Sequence, residues 1–451
     1  MRDALCAMRQ TSGRFFLPAR PAVAQSAQRN AHRALASGVE TVHKLRMSAR
    51  DMTAADTTAD LFARLAPARA RLAAADESVI GMQIALSEIP APTGAEQARG
   101  AKVAERFRSL GLHDVRTDDV GNVIAARPGA TRMAPVLVCA HLDTVFPEGT
   151  PVGVARDGTQ LTGPGIVDNS RGLAAMLALA ETIDGARVRT QRPVIFAATV
   201  GEEGAGDLRG VTHLFARLDD TPSACIAIDG AGDDRIVHRA LGARRLRVTF
   251  HGCGGHSWAA FGMPNPVHAA GATAAKLAAL PLPHLPRTTL SVCRIGGGIS
   301  VNAIPTEAWL EVDVRCSSAD ILAACASEVE MAVRAAVREE NARRSSGAPP
   351  LSYAISTIGD RPCGELPSDH PLVAAAADAT RAIGRSPELA TASTDANVPI
   401  SLGVPAIAIG AGGRGGGVHT AGEWYDNTDG TLGVARALTV VVSAAELAPA
   451  V

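Results

Sequence analysis

The chain has 451 residues, with 44 Lys and Arg against 45 Asp and Glu, a formal net charge of −1 and 3% aromatic residues. Near-neutral charge argues against nucleic acid or an acidic membrane surface as the main partner. The length exceeds what one hydrophobic core fills, so two domains are expected, with cores built mainly from Ala, Gly, Val and Leu. The N-terminal stretch differs in composition from the rest. Arg2, Arg9, Arg14, Arg20, Arg29, Arg33, Arg46 and Arg50 face only Asp3 and Glu40. Residues 1–54 therefore read as a disordered or transit-like leader, or as an upstream mis-start with Met47 or Met52 as the true beginning. The leader lacks the continuous apolar core of a secretory signal.

Residues 60–74 read as an amphipathic helix through Leu61, Leu65 and Leu72, with Pro67 placed to kink or split it. Residues 77–89 form a second helix, stopped by PAPTG, and residues 96–110 a third, stopped by Gly111. Strands are expected at 115–117, 122–126 and 135–141. The last is a short apolar run that ends in His141, with Asp143 two residues on. Asp168 precedes a helix over 171–183. Strands at 193–200 and 224–228 end in GEEG (201–204) and DGAG (229–232).

The pattern then changes. Strand 244–251, helix 265–280, strands 289–294 and 308–315, helix 320–340 and strand 351–357 follow the split βαβ order of a small α/β sandwich. The first domain resumes with helix 370–383, strand 405–409, a glycine-rich loop at 410–417 that contains Arg414, His419, and a closing helix at 431–448. That loop lacks a following Lys-Ser or Lys-Thr, so a nucleotide cradle is rejected. The expected fold is α/β: a mixed sheet flanked by helices, with an inserted βαββαβ ferredoxin-like lid or dimerisation domain. The expected boundaries are 1–54 for the leader, 55–243 and 358–451 for the catalytic domain, and 244–357 for the insert.

Ligand-type residues stand at strand-to-loop junctions, where open α/β sheets place their chemistry. Singly, each has a plain explanation. His141 could be a core histidine, Asp168 a helix N-cap, and Glu202-Glu203 a solvated turn. Together, His141, Asp168, Glu203, Asp229 and His419 supply two imidazoles and three carboxylates, which suits two divalent metals. Zinc fits this donor set best, with cobalt or manganese as alternatives. Such a pair, about 3.5–4 Å apart, acidifies a water and polarises a carbonyl. Glu202 is the candidate base, and Asp143 the partner for the free ring nitrogen of His141. A metallophosphatase would need a basic cluster at these loops, and none is present. Cys6, Cys139, Cys225, Cys253, Cys293, Cys316, Cys325 and Cys363 form no CxxC pair and read as buried, reduced thiols. No apolar run is long enough to span a membrane. A cytoplasmic protein is expected.

From about residue 75 to the C terminus, the chain resembles the dinuclear zinc exopeptidases and deacylases that include peptidase T, carboxypeptidase G, acetylornithine deacetylase and succinyl-diaminopimelate desuccinylase. The matching stretches are AHLDTVFP (140–147), GPGIVDNSRG (163–172), GEEGAGDLRG (201–210), DGAG (229–232), GGHS (254–257), VNAIPTEAWLEVDVR (301–315) and STDANVPISLGVPAI (393–407). The resemblance implies that Asp168 bridges two metals, with His141 and Asp229 on one and Glu203 and His419 on the other. It also implies a cis peptide after Asp168.

By the same resemblance, His256 stabilises the oxyanion, often from a neighbouring subunit, while Asn302 and Arg315 hold a substrate carboxylate or carbonyl. His256 as a structural residue and Arg315 as a surface arginine remain the plain alternatives. Closure of the insert is expected to bring His256 and Arg315 to the metals, and a homodimer through the insert is implied. The run GEEGAGDLRG, with HRALGARR at 238–245, looks closest to peptidase T-like members. The expected substrate is accordingly a di- or tripeptide. An N-acyl- or N-carbamoyl-amino acid is the second candidate, and a non-catalytic binding protein on this scaffold the remote one.

Overall fold

A computed structural model describes residues 57–449. The expected leader, its candidate start sites and Cys6 lie outside the described residues. The larger sheet is mixed. Along its main path run His113–Thr117, Val123–Arg127, Val194–Thr199, Val136–His141, Ala224–Ile228, Ala406–Ile409, Arg235–Ala240 and Gly364–Glu365, and Glu388–Ala392 pairs in parallel with Arg235–Ala240. Its four central strands are parallel, so their C-terminal ends open on one edge.

These strands are buried on both faces, which accounts for their unbroken apolar sequences. Along VLVCAH, side chains alternate between two cores. Val136, Val138 and Ala140 enter the core under helices Ser170–Gly185 and Gly430–Ala445, while Leu137 and Cys139 enter the opposite one. Ala-rich strands let those helices pack close.

A second, four-stranded antiparallel sheet has its own core. Its order is Thr289–Gly297, Glu307–Cys316, Gly242–His251 and Ser352–Arg361, which in chain order is 2-3-1-4. Helices Pro266–Ala278, capped by Asn265, and Ala319–Ala342, capped by Ser318, supply the rest of that core. In Glu307–Cys316, residues Ala308, Leu310, Val312, Val314 and Cys316 turn inward at period two.

Several expectations are refined. The helix at 60–74 is two helices, Thr58–Arg64 and Ala66–Ala74, because Pro67 is tolerated only in a first turn. Arg235–Ala240 and Glu388–Ala392 are strands without a period-two apolar pattern in their sequence. The first carries His238 and Arg239 within its run, and the second is a largely exposed edge with little apolar character. The first and last strands of the inserted sheet in chain order begin at Gly242 and end at Arg361, the last running past a register shift between Thr357 and Gly359. Cys139, Cys225, Cys316 and Cys325 are buried as expected, whereas Cys253 and Cys293 are exposed on the insert.

Gly172, in the first turn of its helix, is fixed by close approach. A Cβ there would lie 2.2 Å from Asn169 Oδ1 and 2.4 Å from the Ile228 carbonyl. Gly172→Ala should therefore destabilise the protein by about 1–3 kcal/mol, read as a lower urea midpoint. An unchanged midpoint would mean that this helix can shift without cost.

Candidate metal centre

The parallel strands deliver ligand-type residues to one edge, and a few buried polar side chains fix the loops that follow. Asp143, fully buried, accepts hydrogen bonds from the amides of Glu202 (2.9 Å) and Glu203 (3.0 Å) and from Thr93 Oγ1 (2.9 Å). His141 Nδ1 lies 3.0 Å from the Asp143 carbonyl oxygen and 3.6 Å from its carboxylate. Asp143 thus orients the imidazole chiefly through its main chain, because its carboxylate is engaged with the Glu202-Glu203 turn.

Asn169 caps the next helix by accepting from the Gly172 amide, accepts from the Gly230 amide (3.1 Å), and donates to the Ile228 carbonyl (2.9 Å). One side chain thereby ties the Asp168 loop to the Asp229 loop. The Asp168–Asn169 peptide is cis. Glu423, fully buried, accepts from the amides of Gly165 (3.1 Å), Val167 (2.7 Å) and Asp168 (2.9 Å). It lies four residues after His419, so it binds the loop that carries one imidazole to the loop that carries Asp168.

The result is convergent. His141 Nε2 lies 2.9 Å from Asp168 Oδ1 and 3.7 Å from Asp229 Oδ1. His419 Nε2 lies 3.1 Å from Asp168 Oδ2 and 2.8 Å from Glu203 Oε1. The two oxygens of Asp168 therefore face two different donor groups: His141 and Asp229 on one side, Glu203 and His419 on the other. Glu202 is buried beside them, and its Oε1 lies 3.2 Å from Nη1 of Arg361.

Burial alone would lower His141, but Asp143, Asp168 and Asp229 outweigh it and hold its pKa well above the ordinary value. Asp168 likewise lifts His419 to about 9. Burial, with Asp168 adding, pushes Glu203 up to about 7. Burial opposes ionisation of Asp168 too, yet the two imidazoles hold it well below the carboxylate range. A pocket that makes its histidines keep protons is short of positive charge. Asp168 Oδ1, in turn, faces His141 Nε2 at 2.9 Å, and Oδ2 faces His419 Nε2 at 3.1 Å. One carboxylate shared between two clusters of N and O donors fits a pair of divalent cations.

The other expected site residues are placed elsewhere. His256, exposed, pairs in a two-residue strand with Ala303, and its Nδ1 accepts from the Trp258 amide at 3.2 Å. His256 and Asn302 line a cavity of about 630 Å³ on the insert. Arg315 lies outside that cavity, with its Nε bonded to Asp313 Oδ2 at 2.8 Å. Strand register sets Arg315 opposite Ala243 and Glu307 opposite His251, eight residues along. At about 3.3 Å per residue, Glu307 and Arg315 lie about 26 Å apart along the strand, and His256 follows from the His251 end. Glu423, Asn169 and Arg361 escaped the sequence reading. Only Glu423 left a signal, a carboxylate one short loop after His419.

The profile described as Peptidase family M20/M25/M40 matches residues 137–443. Among curated relatives, a succinyl-diaminopimelate desuccinylase of Corynebacterium glutamicum is 26% identical over 238 residues, covering 51% of this chain. The match spans 64% of that relative's length. Among solved structures, the aminopeptidase PepT of Bacillus cereus superposes with a TM-score of 0.66 at 20% identity, over 82% of this chain and 99% of its own. A hydantoinase/carbamoylase family amidase of Burkholderia ambifaria gives 0.58 at 20% identity, over 85% and 98%. These two are likenesses of fold.

Glu423→Ala should leave three amides without their acceptor. Hydrogen exchange at Gly165, Val167 and Asp168 is then expected to accelerate at least tenfold, since one lost bond of about 1.4 kcal/mol suffices for that. Unchanged protection would show that the loop is held by other contacts.

Proposed function

The chain belongs to peptidase family M20/M25/M40, and we propose that it is a metal-dependent amide hydrolase, an exopeptidase on di- or tripeptides. The observation that carries this reading is the facing of one Asp168 oxygen to His141 and Asp229 and of the other to Glu203 and His419. His141 and Asp229 would hold one cation, Glu203 and His419 the second, with Asp168 shared. Zinc suits these donors, with cobalt or manganese as alternatives. When bound, such ions polarise the scissile carbonyl and make water a nucleophile near neutral pH.

The chain's own groups do the rest. Glu202, beside the ligands but clear of His419, takes the proton of the attacking water and returns it to the leaving amine. Asp143 fixes the Glu202-Glu203 turn through two amides, so base and ligand keep their separation. A cavity of about 760 Å³ has Asp168 and Asp229 in its wall, together with Asp233, Asp234, Arg235 and Arg414. Charges of both signs at that size suit the two termini of a short zwitterionic peptide better than a singly charged acylated amino acid.

The insert supports a homodimer reading. Its edge strand Thr289–Gly297 pairs on one side only, and Trp258, Phe261, Ile299 and Val301 are exposed near His256. With His256 and Arg315 at opposite ends of the sheet, His256 would serve the metals of a second copy, stabilising the oxyanion there. Asn302, close by, would bind the substrate carbonyl, and Arg315 a carboxylate. No helix among the described residues is long and apolar enough to cross a membrane. Cys139 and Cys225, with Sγ atoms 4.0 Å apart, are thiols, which suits a cytoplasmic enzyme.

Glu202→Gln should keep two metals per chain by elemental analysis while turnover of a short-peptide panel falls at least 100-fold. Retained turnover would sink the hydrolase assignment, and hydrolysis of N-acetyl or N-carbamoyl amino acids alone would move the enzyme to the deacylases. In light scattering the protein should run as a dimer. The pair Trp258→Glu and Phe261→Glu should make it a monomer, and His256→Ala should cut turnover without metal loss. A wild-type monomer with full activity would defeat the shared-site reading.

A further inference from the structure

Two adjacent buried carboxylates stand beside His141, and the geometry alone permits either to be a ligand. One donor atom each of His141, Glu202 and Glu203 lies within 4.8 Å of the others, so these three are themselves a candidate metal group. Some other contact must decide which glutamate binds a cation and which stays free. On Glu203 that contact is His419, at 2.8 Å. On Glu202 it is Arg361, a residue without a role so far.

Arg361 ends the last strand of the inserted sheet and is 5% exposed. Its Nη1 donates to Glu202 Oε1 (3.2 Å) and to Ser393 Oγ (3.0 Å), and its Nη2 donates to the Glu202 carbonyl oxygen. One guanidinium therefore holds both the side chain and the main chain of Glu202, a two-point grip that the planar fork of Arg allows and a point-like ammonium does not. The contact sits in a wider seam. The Asp360 amide donates to Asp207 Oδ2 (2.7 Å), and Arg245 Nη1 donates to the Gly204 carbonyl (2.7 Å). Both ends of the insert are thus stitched to the turn that presents Glu202 and Glu203.

We propose that Arg361 is the positioning residue that makes Glu202 the base: by engaging Glu202 Oε1 and the Glu202 carbonyl, it keeps this carboxylate from turning onto the cations beside Glu203. The inference rests on Glu202 being the base.

The test uses the full-length, metal-loaded protein with Arg361→Met and Arg361→Lys, each alone and combined with Glu202→Gln. Arg361→Met should lower kcat roughly 10–100-fold with KM changed less than threefold and two metals per chain retained. Arg361→Lys should recover part of the loss. In the Glu202→Gln background, Arg361→Met should cost nothing further, because its effect passes through Glu202. Cobalt-loaded Arg361→Met should show a changed visible spectrum, reporting an added carboxylate ligand, whereas Arg361→Lys should stay near wild type.

Wild-type kcat in Arg361→Met would overturn the proposal. So would an equal loss with and without Glu202→Gln, or an unchanged cobalt spectrum. If Arg361→Met does not fold, Arg361→Lys and Arg361→Gln carry the same comparison. Activity persisting in Glu202→Gln would instead remove the base assignment. Loss there with none in Arg361→Met would remove only the role of Arg361.

Discussion

Everything at the C-terminal edge of the large sheet depends on a concentration of negative charge that the protein cannot neutralise by itself. Asp168, Asp229, Glu202 and Glu203 converge on two imidazoles and one guanidinium. Bringing buried carboxylates this close is unfavourable unless positive charge enters with them. The carboxylates hold the pKa values of both imidazoles above the ordinary one, and each oxygen of Asp168 is set against one of the two rings. The fold is arranged to hold these groups in place against their own repulsion.

That restraint comes from side-chain-to-backbone bonds rather than from packing. Glu423 gathers three amides, Asp143 two, and Asn169 joins two loops. Each connects segments far apart in sequence, so the geometry of the centre is a property of the finished fold. Buried arginines extend the same logic outward. Arg171 caps the Ala411 and Gly430 carbonyls, and Arg99 caps those of Leu142 and Ile89. Loops with irregular backbone can be buried here because such donors meet their carbonyls.

Much of this was legible in the sequence. The ligand-type residues were visible because each ends a buried parallel strand or follows a glycine-rich turn, and the family resemblance read from those motifs is borne out by the profile match. The doubly apolar strands and the βαββαβ order of the insert were equally plain. Less visible was anything defined by a partner distant in the chain. Arg361 looks like any arginine at a strand end until Glu202 is beside it. Arg235–Ala240 and Glu388–Ala392 gain strand character from neighbours, one polar along its run and the other at an edge. The placement of His256 and Arg315 within the insert was hidden for the same reason. Motif order says nothing of strand register, and register puts them at opposite ends.

The threefold amide grip of Glu423 also bears on transplantation. The groups proposed to hold cations lie on loops whose spacing is fixed from a carboxylate outside their own number. A designer copying only His141, Asp168, Glu203, Asp229 and His419 onto another scaffold would move the tools and leave the vice behind. The smallest portable unit is the five together with Glu423, Asp143 and Asn169, and it spans residues 141 to 423, so this chemistry resists being cut out as a peptide.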